Sequence, residues 1–205
     1  MRVPGVRLAT PIFNRADGTD RPVRVVPTRK TVRGACFAAA LVLCGILPAH
    51  AVDGLAIEAG QEHRTDMWRV AAQWQWSQRW LQGEQWHLGG FWDLGLAQWE
   101  QTVPGERARL LEIGLTPVFR LQANDLRGPY LEAGIGAHVL EATSLGNKRF
   151  STAFQFGDHI GFGYRFGARG EFDIGYRYQH LSNAGVKLPN SGLDSNQVRL
   201  QYWFR

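Results

Sequence analysis

Cysteine is nearly absent from this 205-residue chain, and the two present, Cys36 and Cys44, both lie in one apolar run near the start. If that run is removed on export, no disulfide can form and the rest of the chain holds together by packing and hydrogen bonds alone. Long apolar stretches are also missing: from Val52 onward no segment approaches the ~20 residues that a membrane helix needs. Basic excess is missing too. The net charge of +5 and pI near 9.6 come from the first 51 residues, which hold eight Lys or Arg against two Asp or Glu, leaving 15 basic and 16 acidic residues beyond. A nucleic-acid footprint of Lys and Arg interleaved with stacking aromatics is therefore excluded. Metal-ligand spacing is absent as well, since His63, His87, His138 and His159 stand singly and no carboxylate cluster suits calcium.

What the first 51 residues do contain reads as an export signal. Arg24, Arg29, Lys30 and Arg33 form a basic stretch, Ala35 to Leu47 an apolar run, and Ala49-His50-Ala51 an A-x-A cleavage site. The run of about 13 residues is too short to anchor in a bilayer as a helix. The bulky Leu43 before Cys44 argues against lipid attachment there. The expected organisation is a signal peptide with an extended basic N-terminus over residues 1–51, followed by a single domain over 52–205 with no internal repeat.

Beyond Val52 the dominant pattern is alternation with period two, the mark of strands with unlike faces. One face reads Trp68, Val70, Trp74, then Trp86, Leu88, Trp92, Leu94, Leu96, then Leu111, Ile113, Leu115, Phe119, Leu121. It continues with Leu131, Ile135, Val139, then Ile160, Phe162, Tyr164, Phe166, then Phe172 to Tyr178, then Val198, Leu200, Tyr202, Phe204. The opposite face carries Arg69, Gln73, Asp93, Glu112, Arg120, Glu132, His138, Arg165, Asp173, Arg177 and Arg199, with several glycines. With an opening strand near Leu55 to Ala59 there are eight segments, separated by turn signals such as Pro104-Gly105, Asn124-Asp125, Gly146-Asn147-Lys148 and Ala168-Arg169-Gly170.

A soluble barrel or sandwich would alternate in the same way, so parity alone does not choose between them. The export signal, the eight tryptophans grouped toward strand ends like an interfacial girdle, and the glycines on the polar face favour an eight-stranded antiparallel transmembrane β-barrel. Closure satisfies every backbone hydrogen bond, as lipid demands.

Into this pattern His180 and Ser182 fit awkwardly. Side chains two apart on a strand share a face, so a base and a hydroxyl project together, as a nucleophile and its activator must. They continue the apolar row of Phe172, Ile174, Tyr176 and Tyr178, and Asp194 stands just before the last strand. Turn and rim residues explain the same types. A polar pair in a lipid-facing row, however, is a costly placement that points to function. Both readings stand on spacing alone.

The run Arg177-Tyr178-Gln179-His180-Leu181-Ser182-Asn183-Ala184-Gly185-Val186-Lys187-Leu188-Pro189-Asn190 resembles the signature of the PagL lipid A 3-O-deacylases. Pro129 to Gly136 and Phe91-Trp92-Asp93-Leu94-Gly95 extend the resemblance across the chain from Val52 onward. It implies an outer-membrane barrel of a Gram-negative cell whose active site opens on the lipid-facing wall. Ser182 would be the nucleophile, His180 the base and Asp194 the acid, where better-known members carry Glu. Asn183 and Asn190 would correspond to oxyanion donors. The substrate would be lipid A within lipopolysaccharide, its ester-linked 3-hydroxyacyl chain cut by water with no cofactor. Tyr178, Tyr176 and Val198 would line the acyl groove, and Lys187 would either meet a phosphate or remain a solvated loop charge. A non-catalytic structural or adhesive barrel, and an acyltransferase with another acceptor in place of water, are the alternatives.

Overall fold

The computed structural model describes residues 52–204; the expected signal segment with Cys36 and Cys44, and the terminal Arg205, lie outside the described residues. Ten strands follow in order: β1 (Gly54–Glu62), β2 (Thr65–Gln75), β3 (Trp86–Val103), β4 (Glu106–Ala123), β5 (Gly128–Leu140), β6 (Ser144–Leu145), β7 (Lys148–Arg149), β8 (Phe154–Phe166), β9 (Phe172–Ser182) and β10 (Leu193–Trp203). Eight of them close into an antiparallel barrel in the order β1-β10-β9-β8-β5-β4-β3-β2. β6 and β7 form a separate small hairpin within the β5–β8 connection.

The predicted alternation is the wall of this barrel, with its apolar face outside. Leu131, Ile135, Ile160 and Phe162 are 57–67% exposed, whereas Arg120, Arg165 and Arg199 are at most 2% exposed inside. That is the inverse of a water-soluble barrel, so the outer wall belongs against lipid. No helix among the described residues is long and apolar enough to cross a membrane; the strands do the crossing.

Burying so many charges is tolerable only where each meets its complement. Glu132 receives Arg120 at 2.8 Å, Arg177 at 3.0 Å and Arg199 at 2.7 Å. Asp173 accepts from Arg120 at 2.7 Å and from the Tyr130 hydroxyl at 2.6 Å, while Arg69 bridges Glu58 and Asp93. The lumen is narrow enough that side chains fill it. A Cβ on Gly95 would collide with the Arg69 guanidinium, and one on Gly157 with the His138 ring, which explains the glycines on this face.

Two features depart from the sequence expectation. Trp99 and Trp203 do not join an interfacial girdle; both are buried in the interior, Trp203 against Phe91 and Trp99 donating to Glu112 at 2.5 Å. And residues 76–85 fold back on the wall, where Trp80 bridges Leu88 and Trp76 packs between Trp80, Trp92 and Phe119. One end of the lumen is closed by an apolar plug of Met67, Trp99, Leu110, Leu140, Leu145, Phe150, Leu181 and Leu193. That is the end opposite the one where Asp53 and Phe204 meet, and it underlies the site described next.

Candidate active site

β9 climbs toward this plugged rim and ends at Ser182; β10 descends from Leu193. The register sets Leu181 opposite Leu193, both turned into the plug, and His180 opposite Asp194, both turned outward. Direct opposition brings the short carboxylate within reach: His180 Nδ1 and Asp194 Oδ1 are 2.6 Å apart, with the two side chains 38% and 25% exposed. The same Oδ1 accepts the Tyr178 hydroxyl at 3.0 Å. With Nδ1 engaged by the carboxylate, Nε2 is the ring atom left to accept a proton.

Ser182 occupies the same wall one pleat higher, opposite Phe156 of β8. Its Oγ makes no hydrogen bond to the His180 ring and instead accepts the Ala184 N–H at 3.3 Å. Nucleophile and base in unliganded hydrolases often stand apart and tighten only around substrate. The backbone reverses immediately after Ser182: Val186 N–H donates to Asn183 O at 3.1 Å, with φ of 53° at Ala184 and 75° at Gly185. Glycine adopts this left-handed region freely, but alanine does not, so strain sits two residues from the hydroxyl.

A family model described as Lipid A 3-O-deacylase (PagL) matches residues 66–203, most of the barrel. The chain belongs to the PagL family. It is 53% identical over 75 residues to the lipid A deacylase PagL of Bordetella bronchiseptica, covering 37% of this chain and 41% of that protein. Its identity to the Pseudomonas aeruginosa lipid A deacylase PagL is 37% over 102 residues, covering 49% of this chain and 57% of that one. The matched segments thus span about half the length of these two relatives. Among solved structures, that of the outer membrane enzyme PagL superposes with a TM-score of 0.64 at 28% identity, over 75% of this chain and all of the other.

In this PagL family member, the loop over residues 183–192 is held by the β6–β7 arm. Asn183 is buried, and its amide donates to Phe150 O at 2.9 Å and to Lys187 O at 2.7 Å. Its backbone N–H donates to Asn190 Oδ1 at 3.3 Å. Neither donor of Asn183 is free for an oxyanion, contrary to the sequence expectation, because a loop this polar needs an internal clamp. Asn190, with its oxygen used on Asn183, keeps its NH2 group as a donor. Ser191 and Arg149 exchange two further bonds, and Ser151 Oγ donates to Pro189 O at 2.7 Å.

Tyr178 meets Asp194 through its hydroxyl, a contact that spacing did not foretell, while Tyr176 bonds Asn196 at 2.5 Å. Lys187 enters the site through its carbonyl alone; its ammonium has no hydrogen bond or ion pair among the described residues. The Ala184 N–H escaped sequence reading because an alanine does not advertise a left-handed turn. No group of three or more His, Cys, Asp or Glu side chains converges on a possible metal position among the described residues.

Proposed function

We propose that this chain is an outer-membrane serine esterase that hydrolyses the 3-O-linked acyl chain of lipid A, exported by cleavage of the segment 1–51. The observation that carries the reading is the outward His180–Asp194 pair with Ser182 on the same lipid-facing wall. A soluble substrate gives no reason to place a base and hydroxyl there; an ester in the outer leaflet does. If the rim where Asp53 and Phe204 meet is the periplasmic one, the plugged rim faces the outer leaflet.

In this mechanism Ser182 Oγ attacks the ester carbonyl carbon as its proton passes to His180 Nε2. Asp194 holds the ring and stabilises the imidazolium. Negative charge gathers on the former carbonyl oxygen, met by the Asn190 amide and the Ala184 N–H, the latter already aimed at Oγ. Collapse expels the sugar 3-oxygen, which takes the proton from His180, and leaves the acyl group on Ser182. Water, deprotonated by His180, then releases the fatty acid and restores the hydroxyl. The residues of the chain supply every proton transfer.

The test is to incubate purified folded protein with lipid A and weigh the products. Loss of one acyl chain, abolished by Ser182→Ala, is the expected result. Gain of a chain would make the protein a transferase, and an unchanged lipid A a non-catalytic barrel.

A further inference from the structure

The outward row of β8 reads Phe154, Phe156, Asp158, Ile160, Phe162, Tyr164, Phe166, all exposed, and Asp158 is its one charge. The register sets Asp158 directly beside His180, on the side opposite Asp194, with Ile135 beyond it on β5. Asp158 makes no hydrogen bond or ion pair among the described residues. Asp194 is thus satisfied by His180 and Tyr178, and Asp158 by nothing. A carboxylate on a lipid-facing wall without a protein donor is a costly placement whose donor comes from outside. Phosphates are repelled by it, which leaves an uncharged or cationic donor.

Position narrows the choice. Asp158 is the diagonal neighbour of Ser182, and such pairs have Cα atoms about 7–8 Å apart. An acyl chain whose carbonyl lies at Ser182 has an apolar path down the wall past Ile160, Phe162 and Tyr176, so its first carbons cross Asp158. A hydroxyl at the third carbon then reaches the carboxylate, and one far along the chain does not.

We propose that Asp158 is a specificity-determining residue that accepts a hydrogen bond from the 3-hydroxyl of the acyl chain and so separates 3-hydroxyacyl from plain acyl esters. This rests on the deacylase reading above. It asks nothing of the bond-breaking steps; it selects which ester is held over Ser182.

The test uses two lipid A preparations that differ only in the 3-O-linked chain, 3-hydroxydecanoyl or decanoyl, presented in the same detergent micelles to wild type, Asp158→Ala and Asp158→Asn. Folding is checked by heat-dependent gel migration. Wild type is expected to favour the hydroxylated ester. Asp158→Ala should lower kcat/KM for that ester about tenfold to a hundredfold, the range for a hydrogen bond to a charged acceptor, and leave the decanoyl ester unchanged. Asp158→Asn, whose amide oxygen still accepts, should keep part of the preference. Equal losses on both esters would overturn the proposal by showing that Asp158 acts on His180, and so would a wild type that treats the two esters alike. Folded wild type cleaving neither would instead overturn the deacylase reading and this proposal with it.

Discussion

The two faces of β9 put ionisable residues to opposite uses. Inward, Asp173 takes Arg120 and Tyr130, and Arg177 is held by Glu132 at 3.0 Å; these charges are spent on one another. Outward, among the described residues, His180 has a single hydrogen-bonded partner, Asp194, and keeps its second nitrogen, while Ser182 Oγ accepts only one backbone N–H. The lumen is far richer in charge, yet its charges cancel into structure. On the proposed reading, chemistry resides where a few polar groups interrupt an apolar face and stay open to the lipid side.

The comparison breaks most sharply at the outer face. Ser182→Ala or His180→Ala should each lower lipid A deacylation by several orders of magnitude without altering the barrel, because members of such a unit fail together. Mass spectrometry of the lipid product, paired with heat-dependent gel migration, gives both answers. A folded Ser182→Ala protein with near-normal activity would remove the nucleophile from β9.

The inner face should respond in the opposite sense. Glu132→Ala leaves Arg120, Arg177 and Arg199 facing one another without their shared carboxylate. Breaking a buried ion cluster in this way costs about 3–5 kcal/mol. The expected outcome is a lower midpoint in denaturant-induced unfolding from micelles, with activity per folded molecule close to wild type. A stable but inactive Glu132→Ala protein would mean that the lumen participates in the reaction.

Lipid contact sharpens the contrast further. Leu131, 60% exposed on the outer wall opposite Phe162, should accept charge poorly. Leu131→Arg is expected to cost less than the ~2–4 kcal/mol of a midplane charge, because Leu131 stands three residues from the start of β5. Equilibrium folding into vesicles measures it, and Leu131→Val is the control.

How much of this was legible follows from the same two faces. Period-two alternation carried the strands and the shared face of His180 and Ser182, because each strand is buried on one side only; the closed membrane barrel needed the export signal and the glycines of the polar face as well. Trp99 and Trp203 fall on the inward parity of their strands, so their burial was legible in the alternation, and counting all eight tryptophans toward a girdle set that signal aside. Two-residue strands such as β6 and β7 are too short to show a period, so the arm that clamps Asn183 was invisible. Asp158 stands in plain sight as a charge in an apolar row, but only the register sets it beside His180.

The smallest expected effect concerns Tyr178, for which the sequence suggests an acyl groove and the geometry a second task. Its hydroxyl donates to the same Asp194 oxygen that holds His180, so it fixes the carboxylate against rotation. Tyr178→Phe removes that donor and leaves the ring against lipid. A hydrogen bond to a charged acceptor contributes about 1.5–3 kcal/mol, and because Tyr178 acts on His180 only through Asp194 a part of this reaches the reaction, about a two- to tenfold loss in kcat. If the ring's contact with the acyl chain is all that matters, Phe serves as well as Tyr, and neither kcat nor KM moves. A double-mutant cycle separates the cases: in an Asp194→Ala background the hydroxyl has nothing to hold, so Tyr178→Phe should then have no further effect. Additive losses in the cycle would show that Tyr178 acts independently of Asp194.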